Sequence, residues 1–304
     1  VNSTLKADEE HQALRNIEKS RSEIVFVTPE RLQDEDFMAR LQGLHIDLFV
    51  VDEAHCISQW GRDFRPAFLH LSHAIRQLGR PPVLALTATA TEEVARDIGE
   101  QLQMRVPRVV NLGIYRDSLQ YRVVPVTSEK ERRAQALALA RETPGCGIIY
   151  AATVKAVEDV FDVLLEVGES VTRYHGKLNA RQRAENQEQF MRGEARIMVA
   201  TNAFGMGIDK PDIRFVIHYQ LPANLETYYQ ESGRAGRDGK PAQCLLIYLP
   251  QDKRLQQFFL AKAMPEAADL KRIYEVLQQW GTGEEPKQQR WRKRWQNSRR
   301  RDCG

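Results

Sequence analysis

Apolar residues fall along this chain in short, nearly continuous runs separated by segments of helical spacing. Parallel strands covered on both faces and joined by helices produce that pattern. EIVFVTPERL (23–32), HIDLFVVDEAH (45–55) and PPVLALTATAT (81–91) read as strands, the first ended by the restriction Pro29 places on Thr28. Segments 5–20, 37–44, 66–78 and 92–102 read as the helices around them. Over 110–127 polar and apolar residues alternate without helical period, as in a segment crossing into a second unit. The earlier rhythm then resumes, with helices 129–141, 154–167, 180–192 and 224–232 among strands 145–152, 170–176, 195–201, 213–220 and 242–249. Helices 251–263 and 266–280 precede the polar breaker GTGEEPKQ. The expected fold class is α/β. Its expected organisation is a first domain over 1–115, an interlobe segment over 116–127, a second domain over 128–250, and a helical and basic extension over 251–304.

Composition narrows the function classes. The 304 residues are 42% hydrophobic and 28% charged, enough for two domains that each bury a core. No uncharged apolar run of about 18 residues suggests a membrane span, and no leader pattern opens the chain. The expected compartment is the cytoplasm, associated with the nucleoid in a bacterium, or the nucleus of a nucleated cell. Cys56, Cys146, Cys244 and Cys303 are too far apart for a disulfide scaffold or the close pairs of a structural zinc site. The net charge of +3 hides an asymmetry: residues 287–301 carry eight Lys or Arg and no acid, while the first 286 residues hold 36 basic and 40 acidic side chains. A nucleic-acid site on the body must therefore come from local placement of arginines and backbone amides.

Four stretches carry candidate chemistry. VVDEAH places Asp52 and Glu53 at the end of a buried strand, where one carboxylate can hold a nucleotide's magnesium and the next can orient the attacking water. An isolated Asp-Glu pair is also a common acidic turn. LTATAT sets Thr87, Thr89 and Thr91 near another strand end, where β-branched residues also serve packing. In ATNAFGMGIDKPDIRFVIHY (200–219), Gly205 and Gly207 let backbone amides approach phosphates, and Asp209 follows. In YYQESGRAGRDG (228–239), Arg234 and Arg237 are three residues apart, and their planar forks suit charge developing on a phosphoryl group. Ligands of open α/β sheets bind at such strand ends.

Together these stretches resemble the motor core of the RecQ family of ATP-dependent DNA helicases. The resemblance runs over residues 1–262, through TPERL (28–32), DEAHCISQWGRDFRP (52–66), ALTATAT (85–91), IIYA (148–151), YHG (174–176), 199–219 and 228–239. It implies two RecA-like parallel-sheet lobes, ATP and Mg2+ as cofactors, and 3′-to-5′ movement on single-stranded and partly duplex DNA in recombination and repair. It makes Asp52 the magnesium residue, Glu53 the water-activating one and Arg237 the arginine finger. Arg234 would support Arg237, with Gln230 in the same network and Gly207 and Asp209 at the nucleotide. The loop after the acidic pair would be the family's aromatic-rich DNA sensor, with Gln59, Trp60, Asp63, Phe64 and Arg65, linked to the ATP site by His55. The ring faces of Trp60 and Phe64 suit base stacking. Thr28, Arg31, Thr87, Thr89, Tyr174, His175, Lys177 and Thr201 would contact the DNA backbone or couple the two sites. His175 equally reads as a satisfied strand-end histidine. A monomer is expected, with no membrane partner.

Two family features are missing. No G-x-x-x-x-G-K-[ST] occurs, and the Gly-Lys pairs at 176–177 and 239–240 precede neither Ser nor Thr. Such a loop holds the β- and γ-phosphates, so these residues are expected to be a fragment whose first lobe is incomplete at its N-terminus, with weak or absent turnover of its own. No four-cysteine cluster follows the second lobe; instead Trp291 and Trp295 stand four apart in the basic tail. Two alternatives remain: a non-catalytic DNA- or partner-binding module of helicase fold, and an RNA helicase.

Overall fold

In the computed structural model, residues 7–18, 21–58, 64–88, 90–111, 113, 115–205, 208–263 and 269–274 are described. The chain divides into two units, residues 1–117 and 118–304. No described helix is long and apolar enough to cross a membrane.

The first unit is built on two parallel strands, β1 (Phe49–Val51) and β2 (Val83–Ala85), in register Phe49–Val83, Val50–Leu84 and Val51–Ala85. Helices α1 (Ala7–Glu18), α2 (Glu35–Leu41), α3 (Leu71–Gln77) and α4 (Glu92–Gln101) accompany them. Asp34 and Thr91 cap α2 and α4 by accepting the Phe37 and Val94 N–H groups, which is worth about 1 kcal/mol each. Val51, Ile57, Phe68, Leu71, Ile75, Ile98 and Leu102 form the core.

The run 23–32 is not a strand. Residues 23–28 have no regular structure, with Ile24 74% and Phe26 83% exposed, and a 3-10 turn covers Arg31–Gln33. A strand needs a ladder partner for its N–H and C=O groups, and among the described residues β1 and β2 pair only with each other. The same shortage trims the predicted strands 45–55 and 81–91 to three residues each.

The second unit is a six-stranded, all-parallel sheet in the order β3-β8-β7-β4-β6-β5. Its strands are β3 (Leu119–Pro125), β4 (Cys146–Tyr150), β5 (Val171–Tyr174), β6 (Ile197–Ala200), β7 (Ile213–His218) and β8 (Ala242–Tyr248). Helices α5 (Glu129–Glu142), α6 (Val154–Glu166), α7 (Ala180–Met191) and α8 (Leu225–Ser232) connect them, and α9 (Asp252–Ala263) follows. Alternate strand residues separate onto two faces, as a side-chain period of two requires. Ile149, Val199, Ile217 and Leu245 pack with Leu139, Val157 and Leu164 of α5 and α6, whereas Ile148, Met198, Val216 and Cys244 pack with Phe190 of α7, Phe204 and Ala235. Ser128, Thr153, Asn179 and Asn224 cap α5 to α8, Asn179 in a reciprocal box with Gln182.

The segment 116–127, read as interlobe, supplies β3, which pairs with β8 over its whole length from Leu119–Ala242 to Pro125–Tyr248. It lies at the sheet edge with only Leu119 and Val124 buried, so its apolar signature is faint. Residues 269–274 are helical; the remainder of the predicted helix 266–280 and the basic tail, with Trp291 and Trp295, lie outside the described residues.

Gly147 is fixed by its neighbour across β4 and β7. A Cβ there would fall inside the van der Waals envelope of the Phe215 ring, which is fully buried. Gly147→Ala is expected to cost about 2–3 kcal/mol by overpacking, read as a lower urea midpoint. A loss under about 0.5 kcal/mol would show that the ring can move aside.

Candidate functional site

The expected site residues fall into two groups, one on each unit. On the first, β1 delivers Asp52 and Glu53 to an exposed turn while Ala54, His55, Cys56 and Ile57 are buried in the 3-10 turn that follows. Leu86 N–H donates to Val51 O and Ala54 N–H to Leu86 O, at 2.8 Å each, which pins this turn to the end of β2. Asp52 Oδ1 accepts the Glu53 N–H at 2.9 Å. Glu53 adopts the left-handed conformation (φ 49°, ψ 43°), which non-glycine residues reach only at a cost of about 1–2 kcal/mol. Its side chain stays over half exposed, with Oε2 3.3 Å from His55 Nδ1. That same nitrogen lies 3.1 Å from the Thr87 hydroxyl. The buried histidine thus joins the acidic turn to the threonine-rich strand end.

Beyond it, Ser58 donates to Asp97 of α4 at 2.6 Å, and Arg65 N–H donates to Cys56 O at 2.9 Å. These two bonds hold both ends of the loop between them. Phe64 is half-buried and Arg65 exposed. Gln59, Trp60, Asp63 and Thr89 lie outside the described residues. Thr28 is half-buried, and Arg31 reaches Asp34 at 3.1 Å and lies over the Phe37 ring.

On the second unit the expected site residues divide: Tyr174 ends β5 and Thr201 follows β6 at their C-terminal ends, whereas Asp209 and Arg237 lie beside the N-terminal end of β7, where the Gly236 N–H donates to Ile213 O at 2.9 Å. Thr201 is buried; its N–H donates to Tyr174 O at 3.1 Å, and Tyr174 packs on Phe204 with ring centroids 5.1 Å apart. Arg237 Nη1 donates to Ile208 O and to Asp209 Oδ1, both at 2.9 Å, with the Asp209 side chain 84% exposed. Arg234 donates to Gly205 O, and its Nε is buried without a hydrogen-bond partner among the described residues. A Cβ at Gly205 would stand 2.5 Å from Arg234 Nη2, so a larger residue there must displace the guanidinium. Gln230 is half-buried in α8, and Gly207 lies outside the described residues. His175 is buried with Nε2 on Glu158 Oε1 at 2.5 Å, and Arg173 shares that carboxylate at 2.6 Å. Only half of the ring is paired: His175 Nδ1 is buried without a hydrogen-bond partner among the described residues. Lys177, two residues on, is exposed.

Three residues of this group escaped the sequence reading. Tyr150, at the end of β4, donates its buried hydroxyl to Phe204 O at 3.0 Å. Burial pushes that hydroxyl well above the usual phenol range, the nearby Arg234 charge pulling the other way, so it remains a neutral donor. His218, at the end of β7, is buried with Nε2 2.9 Å from Glu231 Oε2 in α8. A carboxylate only accepts, so Nε2 carries the proton. The signal was present, since strand-terminal Tyr and His stood in the runs IIYA and VIHY.

Comparison with known proteins agrees with this layout. The profile described as DEAD/DEAH box helicase matches residues 1–98, and that described as Helicase conserved C-terminal domain matches 129–239. The ATP-dependent DNA helicase RecQ of Bacillus subtilis (strain 168) is 40% identical over 281 residues, covering 91% of this chain and 47% of that protein. The probable ATP-dependent DNA helicase RecS of the same organism is 38% identical over 301 residues, 93% of this chain and 60% of the relative. Among solved structures, the helicase Lhr of Mycobacterium smegmatis, bound to ssDNA and AMP-PNP, superposes with TM-score 0.65 at 20% identity, covering 81% of this chain and 34% of that one. Dbp5 of S. cerevisiae, bound to RNA and ADP BeF3, gives 0.57 at 21%, covering 71% and 57%.

Fold and matches together define a helicase core of two RecA-like lobes. Within that class the chain belongs to the RecQ family. It spans between about half and three fifths of the length of these two relatives.

Proposed function

We propose that this chain is the motor part of an ATP-dependent DNA helicase that couples hydrolysis to 3′-to-5′ translocation on single-stranded DNA and to duplex unwinding, in recombination and repair. The observation that carries the reading is the identity of 38–40%, over nine tenths of the chain, to proteins named as DNA helicases. The geometry supports it: Asp52 and Glu53 follow β1 and Thr201 follows β6 at the C-terminal ends of parallel strands, where open α/β sheets bind their ligands.

The donor set fits a magnesium nucleotide. Among the described residues no cluster of three or more His, Cys, Asp or Glu could hold a metal ion by itself. Magnesium needs no such cluster, because it keeps several waters and binds through one or two carboxylates plus phosphates. Asp52, exposed and engaged through one oxygen with its neighbour's N–H, retains lone pairs for that task. The bound ion would neutralise phosphate charge. Glu53, held towards solvent, orients and deprotonates the attacking water. Arg237, at the exposed end of its loop, exchanges Asp209 for charge developing on the transferred phosphoryl group. His55 and Thr87 carry the state of that turn towards the loop that begins after Ser58.

The test is ATP turnover by the 304-residue chain and by the full-length protein, each with and without single-stranded DNA, with RNA as competitor. DNA-stimulated turnover in the full-length protein establishes the reading. DNA binding without turnover in either would favour a non-catalytic module, and preferential stimulation by RNA an RNA helicase.

A further inference from the structure

We infer that Tyr150, backed by the buried His218–Glu231 pair, is a positioning residue that fixes one end of the Thr201–Asp209 segment so that Arg237 and Asp209 move at the other. The inference rests on the proposed ATP hydrolysis and goes beyond it, because it assigns a task to Tyr150, which the resemblance leaves without one.

Three side chains hold carbonyls of this segment. Tyr150 holds Phe204 O, Arg234 holds Gly205 O and Arg237 holds Ile208 O. The first hold is interior, with Tyr150 3% and Phe204 1% exposed; Arg234 is half-buried, its Nε buried and its guanidinium beside the Tyr150 hydroxyl. The third is at the surface, where Arg237 also meets the solvent-facing Asp209 carboxylate. Freeing an exposed guanidinium towards phosphate costs little, whereas moving Arg234 would strip Gly205 O of its donor inside the fold. Arg234 is therefore a positioning residue and Arg237 the one that meets the nucleotide.

The fixed end is itself supported from below. The Tyr150 ring stacks on His218 with centroids 5.7 Å apart and planes at 26°, and His218 packs on Tyr228 at 4.7 Å. Through Nε2, His218 holds Glu231, three residues before Arg234, so the strand ends of β4 and β7 set where α8 delivers its arginines. Removing the Tyr150 hydroxyl leaves that stack in place, frees the Phe204 carbonyl and takes away the oxygen beside the Arg234 guanidinium.

The experiment is Tyr150→Phe in the full-length protein, with Gly205→Ala as a second variant that displaces Arg234 from the other side. Tyr150→Phe is expected to lower kcat for DNA-stimulated ATP hydrolysis by about 10- to 100-fold, the scale of a small misplacement of catalytic groups. KM for ATP should stay within about twofold, and the melting temperature within about 2–4 °C. Hydrogen exchange reads the same device without activity: the Phe204 and Ile208 amides, bonded to Thr201 O and Gly205 O, should exchange at least about tenfold faster, with β4, β6 and β7 unchanged. Gly205→Ala should reproduce both effects, and the double variant should add little. A kcat kept within about twofold, or a raised KM with kcat intact, would overturn the inference. If the wild-type protein shows no turnover, the proposed function fails instead, and unchanged exchange at Phe204 and Ile208 would then be what sinks the positioning role.

Discussion

Replacing Glu53 with glutamine is expected to lower DNA-stimulated ATP turnover by about 10²–10⁴-fold, the span that general-base groups supply, while ATP still binds. Glutamine preserves the size of the side chain and the exposed turn, and removes the carboxylate that can take a proton from water. The neighbouring Asp52 does not substitute, because in this reading its free oxygen is committed to the magnesium ion. The backbone adds a second expectation. Since Glu53 sits at φ 49°, Glu53→Gly removes a left-handed penalty and is expected to leave stability unchanged or raise it by up to about 1 kcal/mol, although activity is lost. Hydrolysis and thermal unfolding measured on both variants decide the matter. Turnover within about tenfold of wild type in Glu53→Gln would remove Glu53 from the chemistry, and a clear fall in stability in Glu53→Gly would show that the strain is not released.

That strain marks where sequence and structure part. The second sheet was legible because the inner strands β4, β6, β7 and β8 are covered on both faces, so their apolar runs stand out and the helices between follow from their spacing. Strand β3 was not, because an edge strand with mostly exposed residues leaves only alternation. In the first unit the apolar run at 23–28 met the sequence criteria for a strand yet has no partner, since pairing is a property of what lies beside a segment and not of the segment. The site divides in the same way. Acidic and arginine motifs announce themselves by residue type, so Asp52, Glu53, Arg234 and Arg237 stand out as candidates in the sequence. Tyr150, His218 and Glu231 act through contacts between residues up to 68 positions apart in sequence, among apolar neighbours that make each look like core. The resemblance assigns Arg234 and Arg237 different tasks, but the difference in their surroundings is not disclosed by two arginines three residues apart.

Arg132→Ala is expected to destabilise the second unit by about 3–5 kcal/mol, because it would leave a carboxylate buried without its partner. Arg132 is 1% exposed in α5, and its Nη1 reaches both oxygens of Asp252, 4% exposed at the start of α9, at 2.8 and 2.9 Å. It also donates to Tyr219 O at 3.3 Å and to Glu129, and its guanidinium lies 4.9 Å from the Tyr219 ring centroid. Burial alone would lower its pKa, but the Glu129 and Asp252 carboxylates more than offset that and raise it, so the guanidinium stays charged. Asp252 Oδ2 in turn accepts the Leu221 N–H at 3.0 Å, so one ion pair ties α5, the end of β7 and α9 together. Arg132→Met keeps most of the volume but not the charge, and should be nearly as harmful as alanine. Adding Asp252→Asn neutralises the orphaned carboxylate, retains an acceptor for Leu221, and should recover more than half of the loss, since a buried pair is costly to break and much less costly to replace whole. Glu129 is half-exposed and can return to water in every variant. Urea unfolding of the three variants is the measurement. A loss below about 1 kcal/mol for Arg132→Ala, or no recovery in the double variant, would mean that α9 is held by its apolar contacts and that the ion pair merely accompanies them.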